Sequence, residues 1–274
     1  MFGRFKKSYI NYRGESNKMN LLKNLDRIVK KIPTRSVQLN VVSMSGQVFY
    51  EDQLLSLFSF YHNVGIPSSW IIYNDGTYNK QALASFEKIP NVHVKCMNSD
   101  KYQKEVEEFP TLNKMFILKD IVPLIPTIFT DSDILFFPSF LNELSSFIYD
   151  NCYLVDESNL YFDPSIPLEV DTSYPLNLGF LLLNKRPDWD IVWQLIEKRI
   201  ASNALHYWTD QTAMHILAIQ EKFIPLPKDK FVVGGKDAFT LKDAFKPDKI
   251  ALRHYVGPIR HKMWQHNYQK VLGL

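Results

Sequence analysis

Hydrophobic positions repeat along this chain with two alternating periods. Residues 17–32 place apolar side chains on one side of a helix and stop at Pro33, which predicts a single amphipathic helix. From residue 37 onward, short apolar runs alternate with longer segments of helical period. The strands are predicted at residues 37–44, 69–73, 91–96, 126–130, 152–155 and 176–184, and the helices at 50–64, 78–88, 101–121, 139–149, 189–201 and 208–220.

This alternation of strand and helix predicts an α/β fold with a mainly parallel central sheet flanked by helices. The chain has 274 residues, enough for one substantial domain. We expect residues 1–35 to form a basic segment and an amphipathic helix, followed by a single domain at 36–274. Residues 227–274 have the weakest periodicity and carry much of the polar chemistry.

Composition excludes several classes of function. The net charge is only +3 at pH 7, which is too weak to indicate nucleic-acid binding. Cys96 and Cys152 lack metal or redox spacing, so we expect reduced thiols in a cytoplasmic protein. No apolar run reaches the length of a transmembrane helix. The basic, aromatic residues 1–13 leave two alternatives open, namely peripheral contact with an anionic membrane surface and a solvated tail.

The stretch "PTIFTDSDILFF", residues 126–137, places two carboxylates at the end of an apolar strand. Residues two apart in a strand point the same way, so Asp131 and Asp133 are expected to emerge together at its carboxyl end. Ligands bind at that edge in open α/β sheets. Two carboxylates repel unless a cation lies between them, which favours a divalent metal ion with oxygen ligands.

Three interpretations of this D-x-D pattern remain at this point. The first is a surface turn with two solvated aspartates. The second is a haloacid-dehalogenase-like phosphatase with Asp131 as its nucleophile, although Leu135 stands where that pattern prefers Thr or Val, and D-x-D normally opens that fold. The third is a glycosyltransferase of the GT-A fold, in which D-x-D closes the nucleotide-binding half of the sheet.

Further motifs favour the third interpretation. The stretches "VVSMSGQVFYEDQLLSLFSF" and "NKMFILKDIVPLIPTIFTDSDILFF" precede "LNLGFLLLN" and "WTDQTAMHILA" in the chain. The ending "HYVGPIRHKMW" resembles a pattern His-aromatic-x-Gly-x-x-Lys-Pro-Trp, with Arg260 at the lysine position and Lys262 two residues beyond. Together, residues from about 38 to 264 resemble glycosyltransferase family 8, the glycogenin and galactosyltransferase-like enzymes of the GT-A fold.

The resemblance implies a site. The metal ligands would be Asp131, Asp133 and His254, holding Mn²⁺ or Mg²⁺. Residues beside the transferred sugar, assigned as catalytic, would be Asp210, Gln211 and Asn177. The nucleotide sugar would be bound by Ser43, Met44, Ser45, Asp75, Lys114, Ser132, Gly179, Gly257, Arg260 and Lys262, with either Arg260 or Lys262 on the diphosphate. The nucleotide-binding half would span about 36–137 and the acceptor-binding half about 138–274.

The implied function is metal-dependent transfer of a hexose from a nucleotide-diphosphate sugar, with UDP favoured over GDP, to a saccharide or other hydroxyl acceptor. Retention of anomeric configuration is expected. An inverting enzyme would need a carboxylate base, for which Glu157, Asp163 and Asp171 are candidates. Departures such as "NLG" and the shifted ending also leave open a nucleotide-sugar-binding protein without turnover. The acceptor would meet aromatic residues among Tyr161, Phe162, Tyr174 and Trp208.

Overall fold

The computed structural model describes residues 14–97, 102–234 and 243–265. The basic segment at residues 1–13, and with it the two alternatives of membrane contact and a solvated tail, lies outside the described residues. Within them, no helix combines the length and the apolar character that crossing a membrane requires.

A seven-stranded sheet forms the centre of the molecule. Its spatial order is β3-β2-β1-β4-β7-β6-β8, with parallel pairing except where β7 lies antiparallel to β4 and β6. The prediction of a mainly parallel sheet is therefore confirmed. Its strands are β1 (Ser36–Ser45), β2 (Ile66–Asn74), β3 (Val92–Cys96), β4 (Thr127–Asp131), β6 (Cys152–Val155), β7 (Leu176–Leu183) and β8 (Ile224–Pro225).

A second sheet of three short strands joins the middle of the chain to its end. It has the order β5-β10-β9, formed by β5 (Ile134–Phe136), β9 (Phe231–Val233) and β10 (Leu252–His254). The antiparallel register of β10 and β5 places His254 opposite Ile134, and the Tyr255 N–H donates to the Asp133 carbonyl at 2.8 Å. This pairing brings the C-terminal motif to the D-x-D turn.

Helices cover both faces of the central sheet. They are α1 (residues 14–23), α2 (Leu25–Lys30), α3 (Tyr50–Asn63), α4 (Lys80–Phe86), α5 (Gln103–Glu108), α6 (Asn113–Asp120), α7 (Phe140–Leu144), α8 (Trp189–Ala201), α9 (Thr209–Gln220) and α10 (Arg260–Gln265).

Two predicted helices are divided in the structure. The segment 17–32 forms α1 and α2, which meet at Asn24. The segment 101–121 forms α5 and α6, separated by a 3₁₀ turn at Pro110–Leu112. Proline has no N–H to donate and disfavours a helical conformation in the residue before it, and Phe109 is accordingly non-helical, with φ −125° and ψ 76°.

Two hydrophobic cores lie on either side of the central sheet, and neighbouring side chains on β1 and on β4 pack into different ones. On β1, Val41 packs in the core that contains α3, and Val42 packs in the core that contains α8 and α9. On β4, Ile128 and Phe129 divide in the same way. Burial on both faces explains why apolar residues stand next to each other in the middle of these strands, as at 41–42 and 128–129.

Helices α1, α2 and α10 pack together. Leu21, Leu25 and Ile28 are buried in the same core as α3. The Trp264 indole N–H of α10 donates to the buried Asp52 carboxylate of α3 at 2.5 Å, and Asn17 Nδ2 donates to the Trp264 carbonyl at 2.5 Å. Because α10 begins at Arg260, these contacts hold one wall of the cleft described below.

Replacing Trp264 with Phe should destabilise the protein by about 1–3 kcal/mol, because Asp52 stays buried and loses this donor. Burial raises the pKa of Asp52, and the indole hydrogen bond opposes that rise. The loss should therefore be larger at pH 7 than near pH 4, where the carboxyl is closer to neutral. Urea unfolding at both pH values measures it.

Trp189→Phe is the matched control. Trp189 is also buried, but its indole N–H meets no hydrogen-bond acceptor within the described ranges. Equal losses in the two variants, with no dependence on pH, would contradict the role assigned to the Trp264–Asp52 hydrogen bond.

Candidate active site

A cleft of about 530 Å³ opens at the carboxyl edge of the central sheet. Asp131 ends β4, Asp156 follows β6, and Asn177 lies near the start of the antiparallel β7, so all three emerge at this edge. Its charged and amide side chains are Lys114, Asp131, Asp133, Asp156, Glu157, Asn177, Asp210, Gln211, His254 and Arg260.

Each carboxylate of the D-x-D pair has a cationic partner. Lys114 Nζ, from α6, lies 2.7 Å from Asp131 Oδ2. Arg260, at the start of α10, donates to Asp133 Oδ2 through Nε at 3.1 Å and through Nη2 at 2.5 Å. Phe49 lies beneath the guanidinium, with its ring centroid 4.7 Å from Cζ. The site therefore brings opposite charges together where the side chains are partly buried.

The neighbouring charges determine the charge states of Asp133 and Lys114. Burial alone would raise the pKa of Asp133, but His254 and Arg260 outweigh it and hold that pKa below its usual range. Burial likewise opposes the charge of Lys114, yet Asp131 raises the pKa of its ammonium group. The Asp133 carboxylate and the Lys114 ammonium are therefore charged at neutral pH.

The hydrogen bonds around Asn177 fix the tautomer of His254. The Gly179 N–H donates to Asn177 Oδ1 at 3.0 Å, while Asn177 Nδ2 donates to Asp156 Oδ2 at 2.8 Å, so the amide orientation is determined. His254 Nδ1 lies 2.9 Å from the same Oδ1. Because that oxygen only accepts, Nδ1 carries a hydrogen.

In the neutral ring, His254 Nε2 then carries a lone pair directed at carboxylates. It lies 3.0 Å from Asp133 Oδ1 and 3.7 Å from Asp131 Oδ2. A proton on Nε2 would make the ring an imidazolium that donates to Asp133, and without that proton the lone pair and the two anionic oxygens would be stabilised by a metal cation among them. One ligand atom from each of the three residues falls within 4.8 Å of the others.

This donor set fits a divalent metal ion. Metal–ligand bonds of about 2.1 Å place neighbouring ligand atoms roughly 3 Å apart and opposite ones roughly 4 Å apart. The separations from His254 Nε2, 3.0 Å to Asp133 and 3.7 Å to Asp131, fall in that range. In metal sites the far nitrogen of a ligating histidine commonly donates to a carboxylate, a carbonyl or water, and Asn177 Oδ1 occupies that position here. Asp131, Asp133 and His254 can therefore hold an ion without rearrangement of the His254 ring.

No protein-family model and no curated protein sequence matches the chain, but solved structures do. The galactosyltransferase LgtC, in complex with donor and acceptor sugar analogues, matches with a TM-score of 0.61 and 15% identity, over 85% of this chain and 95% of LgtC. GlyE from Streptococcus pneumoniae TIGR4 matches at 0.54 and 13% identity, over 86% of this chain and 62% of GlyE. The bifunctional glycosyltransferase WbbM matches at 0.54 and 12% identity, over 88% of this chain and 52% of WbbM.

The chain has the GT-A fold. At these identities the likeness is one of fold, and it agrees with the sheet order and with the position of D-x-D at the end of β4. The predicted fold class is confirmed.

Asp210 and Gln211, predicted from the D-Q helix, line the GT-A cleft at the start of α9. Burial raises the pKa of Asp210, and the nearby Lys114 ammonium opposes that rise. Both polar atoms of the Gln211 side-chain amide form hydrogen bonds with the backbone. Oε1 accepts from the Leu178 N–H at 3.3 Å, and Nε2 donates to the Tyr161 carbonyl at 3.1 Å. Gln211 therefore joins β7 to the loop after β6.

The predicted donor-binding residues divide into two groups. Lys114, Gly179, Gly257 and Arg260 line the cleft. Ser43, Met44, Ser45, Asp75, Ser132 and Lys262 do not line it.

Ser43, Met44 and Ser45 lie on β1, the strand that pairs with the D-x-D strand β4. Met44 pairs with Asp131 in the β1–β4 register, while the Ser43 hydroxyl accepts a hydrogen bond from the buried Trp70 indole at 3.0 Å. The Ser45 carbonyl accepts from the Asp75 N–H at 3.2 Å, so these two residues are neighbours beyond the cleft.

Arg260 and Lys262 are separated by helix geometry. Two residues along α10 turn the side chain by about 200°, so only one of them can face the cleft. Arg260 lines the cleft, whereas Lys262 is fully buried elsewhere. Gly257, just before this helix, has φ +47°, a left-handed conformation that glycine adopts without strain.

Asp156 is a site residue that the sequence analysis missed. It is buried, accepts from Asn177 and from the Glu157 N–H, and has its pKa raised by burial. A signal was present, because "CYLVD" is an apolar strand ending in an aspartate, like the strand before Asp131.

Gly179→Ala should disturb His254, the candidate metal ligand, without adding or removing charge. A Cβ at this position would overlap the His254 ring at Cε1 and Nδ1 and would lie 2.8 Å from Asn177 Oδ1. We expect a destabilisation of about 1–3 kcal/mol from overpacking, and a loss of Mn²⁺ affinity of about 10- to 100-fold. Urea unfolding and electron paramagnetic resonance titration of Mn²⁺ measure the two effects.

Gly14→Ala is the control, since nothing lies within 4 Å of a Cβ at that position. An unchanged Mn²⁺ affinity in Gly179→Ala would show that the orientation of His254 does not govern ion binding.

Proposed function

We propose that this protein is a metal-dependent glycosyltransferase that moves a hexose from a nucleotide-diphosphate sugar to a hydroxyl acceptor. One observation carries the proposal: the Asp131 and Asp133 carboxylates and His254 Nε2 converge in the cleft of a GT-A fold. A divalent ion bound there would act as a Lewis acid toward the diphosphate leaving group. The imidazole ligand favours Mn²⁺, with Mg²⁺ as the alternative.

Lys114 and Arg260 supply fixed positive charge beside the same carboxylates. Breaking the anomeric C–O bond develops negative charge on the diphosphate, and preorganised cations stabilise that charge most in a site with little water. Because Arg260 faces the cleft and Lys262 does not, we assign the diphosphate contact to Arg260. We assign the nucleotide to residues 36–137, where Ser43, Met44, Ser45, Asp75 and Ser132 remain candidates for its contacts.

We propose retention because the motifs resemble family 8, and two of the three carboxylates considered for an inverting enzyme are poorly placed. Asp163 is held by Ser165, Thr209 and Arg199, which leaves it poorly placed to take a proton from an acceptor. Asp171 does not line the cleft, whereas Glu157 does. Asp210, Gln211 and Asn177 remain the residues assigned beside the sugar. Proton NMR of slow donor hydrolysis tests this, because it shows the anomeric configuration of the sugar when it is first released. A sugar with the same configuration as the donor supports retention, and a sugar with the opposite configuration refutes it.

UDP-sugars are proposed over GDP-sugars because the motifs resemble family 8. A saccharide acceptor is supported by the LgtC structure, which contains donor and acceptor sugar analogues. The phosphatase alternative rests on the D-x-D pattern alone. A nucleotide-sugar-binding protein without turnover remains the second candidate, favoured by the departures at "NLG" and "HYVGPIRHKMW", and release of free sugar from the donor would exclude it.

A thermal-shift panel of UDP- and GDP-sugars, with and without Mn²⁺, tests the function most simply. Ligands that bind the folded state raise its melting temperature, so a UDP-sugar with Mn²⁺ should give the largest rise. His254→Ala should reduce that rise strongly, because one of three ligands is lost. His93→Ala, at an exposed position on β3, is the control and should behave like the unmodified protein.

The absence of any shift with millimolar nucleotide sugars would contradict the proposal. A normal Mn²⁺-dependent shift in His254→Ala, accompanied by poor folding, would instead make His254 a structural residue.

A further inference from the structure

Three aromatic side chains line the cleft and yet remain open to solvent. Tyr161 is 44% exposed and Tyr207 is 49% exposed, while Trp208 is half-buried between them. The Tyr161 and Trp208 rings meet at 5.3 Å and 67°, and the Tyr207 and Trp208 rings at 4.6 Å and 88°. We name Tyr161, Tyr207 and Trp208 the aromatic wall.

The backbone beneath the aromatic wall is held from both sides. Gln211 donates to the Tyr161 carbonyl at 3.1 Å, and the Thr212 hydroxyl donates to the Trp208 carbonyl at 2.7 Å. The buried Asp163 then joins the two segments, since its N–H donates to Thr212 Oγ1 at 2.7 Å and its carboxylate accepts from Thr209 at 2.9 Å. The wall is therefore preorganised, which reduces the entropy lost when a ligand binds.

Five carboxyl groups line the cleft, against the two cations Lys114 and Arg260. Asp156, Glu157 and Asp210 line the same cleft, and its cations Lys114 and Arg260 are already paired with the D-x-D carboxylates. An acceptor bearing a carboxylate or phosphate would meet unfavourable charges here, and such repulsion is a common source of specificity. A neutral polyol would instead find hydrogen-bond acceptors in the same cleft as the apolar ring faces.

We propose that the acceptor is an uncharged pyranoside whose ring packs against Tyr161, Tyr207 and Trp208, with anionic sugars excluded by Asp156, Glu157 and Asp210. This inference rests on the proposed function and specifies its acceptor. Aromatic side chains offer a large apolar surface with polar tips, which suits a ring that has one apolar face and hydroxyls at its edge.

The test uses two probes that differ only at one carbon: methyl β-D-glucopyranoside and methyl β-D-glucopyranosiduronate, the second carrying a carboxylate in place of the hydroxymethyl group. Saturation-transfer NMR and calorimetry measure their binding to the full chain with Mn²⁺ and UDP present. We expect binding of the neutral probe at least tenfold tighter than that of the uronate.

Tyr161→Ala, Tyr207→Ala and Trp208→Leu should each weaken binding of the neutral probe by about three- to tenfold. Tyr174→Ala is the matched control, because Tyr174 is 53% exposed and does not line the cleft. All four variants should keep the melting-temperature rise produced by UDP and Mn²⁺, which separates loss of the wall from loss of the fold or of the donor site.

Three results would overturn the inference while that rise persists: equal binding of the two probes, unchanged binding in the wall variants, or binding of a serine-containing peptide in place of both sugars. Failure of UDP and Mn²⁺ to stabilise the unmodified protein would overturn the proposed function, and this inference with it.

Discussion

The close approach of the His254 imidazole to the Asp133 carboxylate is the interaction on which the cleft depends. It joins two parts of the chain 121 residues apart, and the pairing of β10 with β5 holds it in place. Around it, Asn177 binds the other ring nitrogen, Gly179 leaves space for the ring, and Arg260 binds the second carboxylate oxygen. Each neighbour therefore restricts the same two groups, and the arrangement suits a bound cation.

Such a concentration of buried charge is unfavourable in a fold unless each charge has a partner. Asp131 and Asp133 are matched by Lys114 and Arg260, whereas Asp156 and Asp210 have pKa values raised by burial. Carboxyl groups with different ionisation behaviour thus lie in one cleft. Perturbed groups of this kind are typical of functional sites, and here they accompany a ligand set and an exposed aromatic surface.

Local signals in the sequence allowed much of the fold to be predicted. Apolar runs marked the long central strands, and the position of Asp131 at a strand end followed from its neighbours. The short strands β5, β9 and β10 could not be predicted, because three residues carry too little periodicity and their pairing is non-local. The contact of Asp156 with Asn177 and that of Trp264 with Asp52 likewise depend on tertiary packing, across 21 and 212 residues. Motif spacing left Arg260 and Lys262 equivalent until helix geometry separated them.

The most direct test of this account is a crystal structure of the protein grown with Mn²⁺ and UDP, with diffraction recorded at the manganese absorption edge. The account predicts one strong anomalous peak bonded to Asp131, Asp133 and His254 Nε2, with His254 Nδ1 still donating to Asn177. An ion bound elsewhere, or a His254 ring turned to ligate through Nδ1, would contradict it.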